Sequence, residues 1–451
     1  MKEFDAIVIG AGSGLDVASG YANQGKDVAV VEPGPLGGTC LNRGCIPSKM
    51  LIHHADIVEE VENSERFHID AEVNGIKFEK IIEEVNEEVS GDAENIRKGV
   101  EASENHTLFR EEARFVDEKV LEVGDEQISS DTIVVAAGSR PMVPPVDGLE
   151  EVDYLTSRDA LELEELPDEM VIIGGGYISM ELAYFYSRMG TEITILEMQD
   201  RLLAREDREI SETITEIASE EYDVNLGFAA SEVEQDGDRI IVRAENKKGD
   251  KRTFEGDELL VAAGRRPNTD KLEVENAGIE TTERGFIETD EYMETSIDGI
   301  YALGDIADNW MFKHSANLEA EATFRNSKGG EEPLDDYAMP HAVFTHPQIA
   351  GVGKTEQELE EEDKRYVSAT YDYSNTGMGM AMKEEDGFVK VLADAEGEIM
   401  GCHIIGPEAS TLIHEVLVAM RAGDSNVEDI RDTIHIHPAL NEVVQRAFNQ
   451  I

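Results

Sequence analysis

Two cysteines, Cys40 and Cys45, stand five residues apart in the run Gly37-Gly38-Thr39-Cys40-Leu41-Asn42-Arg43-Gly44-Cys45-Ile46-Pro47-Ser48-Lys49. Pro47 marks the start of a helix, since the proline's missing N–H costs nothing there, and the helix continues through Lys49, Leu51, Ile52 and Ala55. Cys45 then lies near a helix N-terminus, where the dipole favours a thiolate, and Lys49 adds positive charge one turn on. A stabilised thiolate beside a second thiol is what reversible disulfide chemistry requires. A zinc pair and an inert structural pair are the other readings. Zinc would need a second Cys/His pair at ligand spacing, and the sequence has none, so no metal is expected. The remaining cysteine, Cys402, lies in an apolar strand and reads as a small core residue. Three cysteines in total cannot build the disulfide framework of a secreted protein.

Nucleotide-binding patterns flank this pair. Phe4-Asp5-Ala6-Ile7-Val8-Ile9 reads as a buried strand, followed by the turn Gly10-Ala11-Gly12-Ser13-Gly14 and a helix to about Gly25. A second strand, Lys26 to Glu32, follows. In this strand–turn–helix–strand unit Gly10 makes the tight turn and Gly12 lets the backbone approach a pyrophosphate. The helix N-terminus offers N–H donors and a positive dipole end. Glu32, twenty residues after Gly12, stands where an acid can hold a ribose. The third glycine of the pattern falls at Leu15, which should displace the helix slightly. The unit recurs as Met170 to Ile173, Gly174-Gly175-Gly176-Tyr177-Ile178-Ser179, a helix from Ile178 to Met189, and the strand Glu192 to Glu197. Here Ser179 takes the third position and Glu197 the acid's. Two such units imply two dinucleotides.

The strands entering Ala136-Ala137-Gly138-Ser139-Arg140-Pro141 and Ala262-Ala263-Gly264-Arg265-Arg266-Pro267 resemble each other, and each follows one unit. The chain therefore reads as α/β, with two Rossmann-like nucleotide-binding domains, the second inserted into the first, and a C-terminal α+β domain. The expected boundaries are 1–147, 148–271 for the insertion, 272–334 for the return through Gly299 to Asp305, and 335–451 for the last domain. In that domain Gly387 to Leu392 and Ile399 to Ile405 are expected strands, and Ser410 to Ala422 a helix. The run Met378-Gly379-Met380-Ala381-Met382 reads as a flexible apolar packing patch.

The charge balance is extreme: 39 Lys+Arg against 98 Asp+Glu, a net −59 over 451 residues. Phosphate backbones and anionic membranes both require a basic face, so neither nucleic acid nor membrane is an expected partner. No apolar run approaches the roughly 20 residues of a membrane helix, and the first residues show no signal-peptide layout. The acids are spread along the chain rather than gathered in a tail. Such self-repulsion is tolerable where salt screens it, at molar concentrations over about 3 Å. A cytoplasmic location in a salt-rich cell is inferred.

The cysteine run, both glycine fingerprints, Ala136 to Pro141, Ala263 to Asn268, Leu303-Gly304-Asp305 and His437-Pro438 together resemble the FAD-dependent pyridine nucleotide–disulfide oxidoreductases. The resemblance spans the whole chain. It implies FAD in the first domain, NAD in the insertion with NADP not excluded, and a homodimer built through the C-terminal domain. Cys40 would be the thiol that attacks the substrate disulfide, and Cys45 the thiolate beside the flavin. Lys49 and Glu181 would pair near the flavin's reactive nitrogen. Gly10, Gly12, Glu32, Gly38, Thr39, Ala113, Gly138 and Asp305 would contact FAD. Gly174, Gly176, Glu197 and Gly264 would serve the nicotinamide nucleotide, with Tyr177 covering the flavin until it arrives. His437, oriented by Glu442, would be the acid–base, reaching the cysteines of the other subunit. An imidazole polarised by a carboxylate can supply the proton that a leaving thiolate needs. His435, two residues earlier, reads as structural.

The resemblance also bears on the substrate, a small disulfide or dithiol. The chain ends Arg446-Ala447-Phe448-Asn449-Gln450-Ile451, without the cysteine pair that mercuric reductase needs. Ser48 stands where glutathione reductase carries a lysine. Cys45 to Lys49 and Gly401 to Pro407 resemble dihydrolipoamide dehydrogenase. Lys313 to Ala320, Tyr371 to Met382 and Ile436 to Val444 are more similar to mycothione reductase, and the halophilic relative of that enzyme reduces bis-γ-glutamylcystine. Reduction of a low-molecular-weight thiol disulfide is the favoured expectation, with lipoamide chemistry as the alternative and a redox-silent nucleotide-binding scaffold as a third reading. Glu197 favours a ribose 2′-hydroxyl and hence NAD, while Arg201 and Arg205 lie close enough to hold a 2′-phosphate.

In dilute buffer at about 0.01 M salt the charges repel over roughly 30 Å, and two acidic subunits feel this most where they meet. Lowering potassium chloride from molar to about 0.05 M is expected to dissociate the dimer first, with activity, FAD retention and folding lost afterwards. Light scattering and activity followed together test the order. An intact, active dimer at the lowest salt would refute the charge argument.

Overall fold

The computed structural model describes residues 1–307 and 309–451. Ala6–Ile9 and Val28–Val31 are parallel, fully buried strands of Val, Ile and Ala, as expected for a sheet covered on both faces. His106–Phe109 extends this sheet on one side. Ile133–Val135 and then Ile300–Ala302 extend it on the other, so the return segment closes the sheet that the first residues began. A second parallel sheet, of Asp223–Leu226, Glu192–Glu197, Glu169–Ile173 and Glu258–Val261, lies wholly within the insertion. Each parallel sheet is accompanied by a smaller, largely antiparallel one. The C-terminal part forms a five-stranded antiparallel sheet packed against the helix Ala409–Ala422 and the terminal helix Glu442–Phe448. Two Rossmann-like domains and a C-terminal α+β domain are thus the architecture. Among the described residues no helix is long and apolar enough to cross a membrane.

Helix α1 (Gly14–Ala22) follows the first fingerprint. The close approach of helix to strand falls one residue before Leu15. A Cβ at Gly14 would stand 2.9 Å from both Ala136 Cβ and Val8 Cγ1, whereas Leu15 packs at the edge of the same core. The redox run forms a short helix α2 (Gly38–Arg43), which the sequence did not announce, and then the 18-residue helix α3 (Cys45–Glu62). Helix α3 begins at Cys45 itself, and Pro47 sits in its first turn instead of opening it, which a helix tolerates because no N–H there has an intrahelical partner. The methionine run also departs from expectation. It forms a short helix, Gly377–Met382, with Met380 63% exposed, and Gly377 abuts Pro438. Cys402 is fully buried in its strand, as expected of a core residue.

The two nucleotide-binding units meet through their matching segments. Ser139–Pro141 pairs antiparallel with Arg265–Pro267, and Asn268 donates from its side chain to Ala137 O at 2.8 Å. The inserted unit is tied to the C-terminal sheet by a buried charge cluster. Lys390, 1% exposed, reaches Asp207 at 2.8 Å and Glu356 at 2.7 Å. Asp207 also caps the helix Arg208–Glu221 through Glu209 N–H and accepts from Glu356 N–H at 2.9 Å. Removing one partner of a buried ion pair leaves the others desolvated and uncompensated, at a cost of about 3–5 kcal/mol. Lys390→Met is therefore expected to lower the denaturant midpoint by a corresponding amount at molar potassium chloride. A midpoint equal to wild type would show that the cluster contributes nothing to stability.

Candidate active site

A cleft of about 610 Å³ opens between the two nucleotide-binding units. Backbone from both sides forms its walls. Gly10 adopts φ +104°, and a Cβ there would fall 2.2 Å from Ala136 O; Gly174 repeats this in the second unit, with φ +113° and 2.5 Å to Ala262 O. Gly38 faces Gly12 so closely that a Cβ on Gly38 would lie 2.6 Å from Gly12 Cα. The two acids behave alike. Glu32 accepts from Ala11 N–H at 3.0 Å and Gly34 N–H at 2.9 Å, and Glu197 accepts from Gly175 N–H at 2.5 Å and Gln199 N–H at 2.7 Å. Each carboxylate closes its glycine turn back onto the end of the second strand, an arrangement that poises an acid beside the expected ribose position.

The redox pair lies on the cleft wall. Cys40 projects from α2 and Cys45 from the first position of α3, and Thr39, Lys49, Gly138, Tyr177, Glu181, Asp305 and Ala113 line the same space. Both cysteines are thiols that hydrogen-bond to one another. The bond from Cys40 pulls the Cys45 thiol down to about 6, against the opposing effect of burial and with help from the Lys49 ammonium. The same bond, and then burial, push Cys40 well above the ordinary thiol range. The contact between the two sulfurs and the Lys49 ammonium thus favours the thiolate at Cys45 over one at Cys40. Lys49 is fixed by Glu181 at 2.5 Å, and that carboxylate is buried and also accepts from Phe344 N–H at 3.0 Å. Asp305 accepts from Ser139 Oγ at 2.7 Å, with Arg265 3.4 Å away.

His437 and Glu442 lie elsewhere, on the C-terminal domain and outside the cleft lining of their own chain. His437 Nδ1 sits 3.0 Å from both carboxylate oxygens of the buried Glu442, which frees Nε2 on a side chain that is 75% exposed. The hydrogen bond from His437 holds the Glu442 carboxyl below its usual range. Ile434 and Ile436 beside it are exposed. His435 is buried and bonded to Glu415 at 3.2 Å, in keeping with a structural role. Gly264 and Gly176 stand with the second fingerprint. Reading the sequence alone assigned no role to Ser139, Arg265 or Asn268, although the repeated segments that carry them were visible. It also left Lys313, Asn317 and Ser13 without roles, and these gather at the cleft from positions 300 residues apart.

The FAD expectation fits these walls: backbone approached to within contact at Gly10, Gly12 and Gly38, the acid Glu32 at the strand end, and an ammonium beside the thiols, whereas Gly174, Gly176, Glu197 and Gly264 lie outside the cleft lining. Comparison with known proteins agrees. Residues 4–320 match the model of the pyridine nucleotide-disulphide oxidoreductases and residues 339–448 match that family's dimerisation domain. The chain belongs to this family and is an FAD- and NAD(P)-dependent disulfide oxidoreductase. It is 36% identical to a dihydrolipoyl dehydrogenase of Haloferax volcanii, over 98% of this chain and 95% of that one. It is 37% identical to the dihydrolipoyl dehydrogenase of Bacillus subtilis, over 99% and 96%. Among solved structures, the Cu(II) complex of the HOCl-induced flavoprotein disulfide reductase RclA from Escherichia coli superposes with a TM-score of 0.89 at 28% identity, covering all of both chains.

The contact between the two sulfurs makes a test. In the reduced protein the thiolate absorbance should persist as pH falls below the ordinary thiol range near 8.5 and disappear only through about 6. Cys40→Ala removes the donor and should move that midpoint upward. An unmoved midpoint would assign the stabilisation to Lys49 and the helix end alone.

Proposed function

We propose that the enzyme exchanges two electrons between a nicotinamide nucleotide and a lipoyl-type dithiol through the Cys40–Cys45 pair, working as a homodimer. The observation that carries the chemistry is the placing of two free thiols, Cys40 and Cys45, together on the cleft wall beside the Lys49–Glu181 pair. FAD, when bound in the cleft, would supply two-electron transfer between the nicotinamide and the Cys40–Cys45 pair. The protein's own groups do the rest. In the reducing direction, His437 Nε2 of a second copy takes the Cys40 proton, and the Cys40 sulfur attacks the substrate disulfide. A mixed disulfide forms and one substrate thiolate leaves, taking the proton from His437. The Cys45 thiolate then attacks the Cys40 sulfur, closing the Cys40–Cys45 bond and releasing the second substrate sulfur as a thiolate. Oxidation of a dithiol runs the same steps backwards. Lys49, held by Glu181, keeps positive charge beside the Cys45 thiolate throughout. The role of Tyr177 as a mobile cover and the roles of the fingerprint residues in holding FAD and the nicotinamide nucleotide belong to the same proposal.

Lipoyl chemistry is supported by the names of full-length relatives at 35–37% identity. The second reading, a low-molecular-weight thiol disulfide such as bis-γ-glutamylcystine, is supported by the segments around Lys313 and His437 and by the disulfide reductase among the similar structures. The deciding experiment measures kcat/KM at high potassium chloride for lipoamide in both directions, bis-γ-glutamylcystine and mycothione disulfide, each with both nicotinamides. Lipoamide turnover with NAD(H) is expected to lead; a tenfold or greater advantage for a small-thiol disulfide would replace it with the second reading. His437→Ala should lower turnover of whichever substrate wins by about 10²-fold or more while flavin reduction by the nicotinamide survives. Loss of both half-reactions would make the histidine structural.

A further inference from the structure

Lys313 is a cation that the redox chemistry above does not use. It opens the helix Lys313–Asn326, directly after the return strand, and lines the cleft together with Gly12, Ser13, Phe312 and Ala316. Its Nζ donates to Ser13 Oγ at 2.7 Å and to Asn317 Oδ1 at 2.6 Å, and Ser13 Oγ donates to the same Asn317 oxygen at 3.0 Å. Both partners of the ammonium are neutral, so neither cancels its charge. Lys49, also in the cleft, contrasts with it, because Glu181 compensates its charge. Ser13 is the residue immediately before α1, so Lys313 stands at the end of the first fingerprint's helix, where backbone N–H groups and the helix dipole already favour an anion. In a chain of net charge −59, a lysine placed on neutral partners in a cofactor cleft needs an anionic counterpart.

We propose that Lys313 is a ligand of the FAD diphosphate, reaching across from the return segment to the Gly10–Gly14 turn and supplying the charge that α1 alone offers only as a partial dipole. The proposal rests on FAD occupying this cleft. The same ammonium lies within electrostatic reach of Cys40, so a positive charge here also lowers the cost of transient negative charge on that sulfur.

The test uses apoprotein stripped of FAD and two probes, FAD and ADP. ADP carries the diphosphate without the flavin ring. Lys313→Gln keeps a donor for Ser13 but removes the charge, and Lys313→Arg restores charge. Fluorescence titration at high potassium chloride is expected to show both probes weakened in Lys313→Gln by a similar factor, about ten- to a hundredfold, the range for a lost hydrogen bond to a charged group. Lys313→Arg should recover most of the affinity. FAD weakened with ADP unchanged would place the lysine at the flavin ring and overturn the proposal. Equal affinities in wild type and Lys313→Gln would overturn it too. So would a fall in the apoprotein's own unfolding midpoint large enough to account for the weakened binding. Wild-type apoprotein that binds neither probe would refute the cofactor placement itself, a result distinct from the other three.

Discussion

Glu181 belongs to a helix of the inserted unit, yet its buried carboxylate is committed to Lys49 of the first unit and to the backbone of Phe344 in the C-terminal domain. Three segments distant in sequence therefore converge on one charge. A buried carboxylate without such partners would favour its neutral form, and Lys49 would lose its anchor beside the thiols. The position of Lys49 sets the field at Cys45, and the docking of the inserted unit brings Tyr177 and Glu181 over the redox pair. Everything said of the cleft depends on this contact between domains. It is a constraint that no single nucleotide-binding unit could satisfy alone.

Electrostatics in this protein work at two levels. The surface is crowded with acids, whose repulsion is collective and open to screening. Three cations, by contrast, are placed individually: Lys49 on Glu181, the buried Lys390 on Asp207 and Glu356, and the half-buried Lys313 on a hydroxyl and an amide oxygen. Salt reaches the surface charges and hardly the Lys390 cluster, since a buried pair is screened much less. Cohesion between domains and the chemistry at Cys45 thus draw on interactions that differ in kind from those governing the surface.

Much of this was legible in the sequence because it is written in local patterns. Strand Glu192–Glu197 and strand Ile399–Ile405 appear where alternation and turn residues place them. The Cys40–Cys45 run announced its chemistry through spacing and the following lysine. What was not legible depended on close approach in three dimensions. The third-glycine role passed to Gly14 because Ala136, over a hundred residues away, comes up against it. The helix Gly38–Arg43 has no apolar period to reveal it, and its first residue is pressed against Gly12. The segment from Lys313 to Ala320 stood out in the sequence only by its resemblance, and the place of Lys313 beside Ser13 came from the fold.

The pairing of Ser139–Pro141 with Arg265–Pro267 has a property that its role as a tether does not exhaust. The two segments occupy equivalent places in the two units, and the register sets Arg140 against Arg266, with Ser139 opposite Pro267 and Pro141 opposite Arg265. The contact is self-complementary, as in a dimer of identical subunits about a two-fold axis, but here both halves lie in one chain. Both central arginines even share one acid, Asp270, at 2.6 and 2.7 Å. Covalent fusion frees such a contact from the requirement that its halves stay identical. The divergence falls where Ser139 answers to Arg265: the arginine donates to Ser139, Ser139 donates to Asp305, and this polar chain lines the cleft. A symmetric joint with one unlike position lets two copies of a single fold hold two different nucleotides.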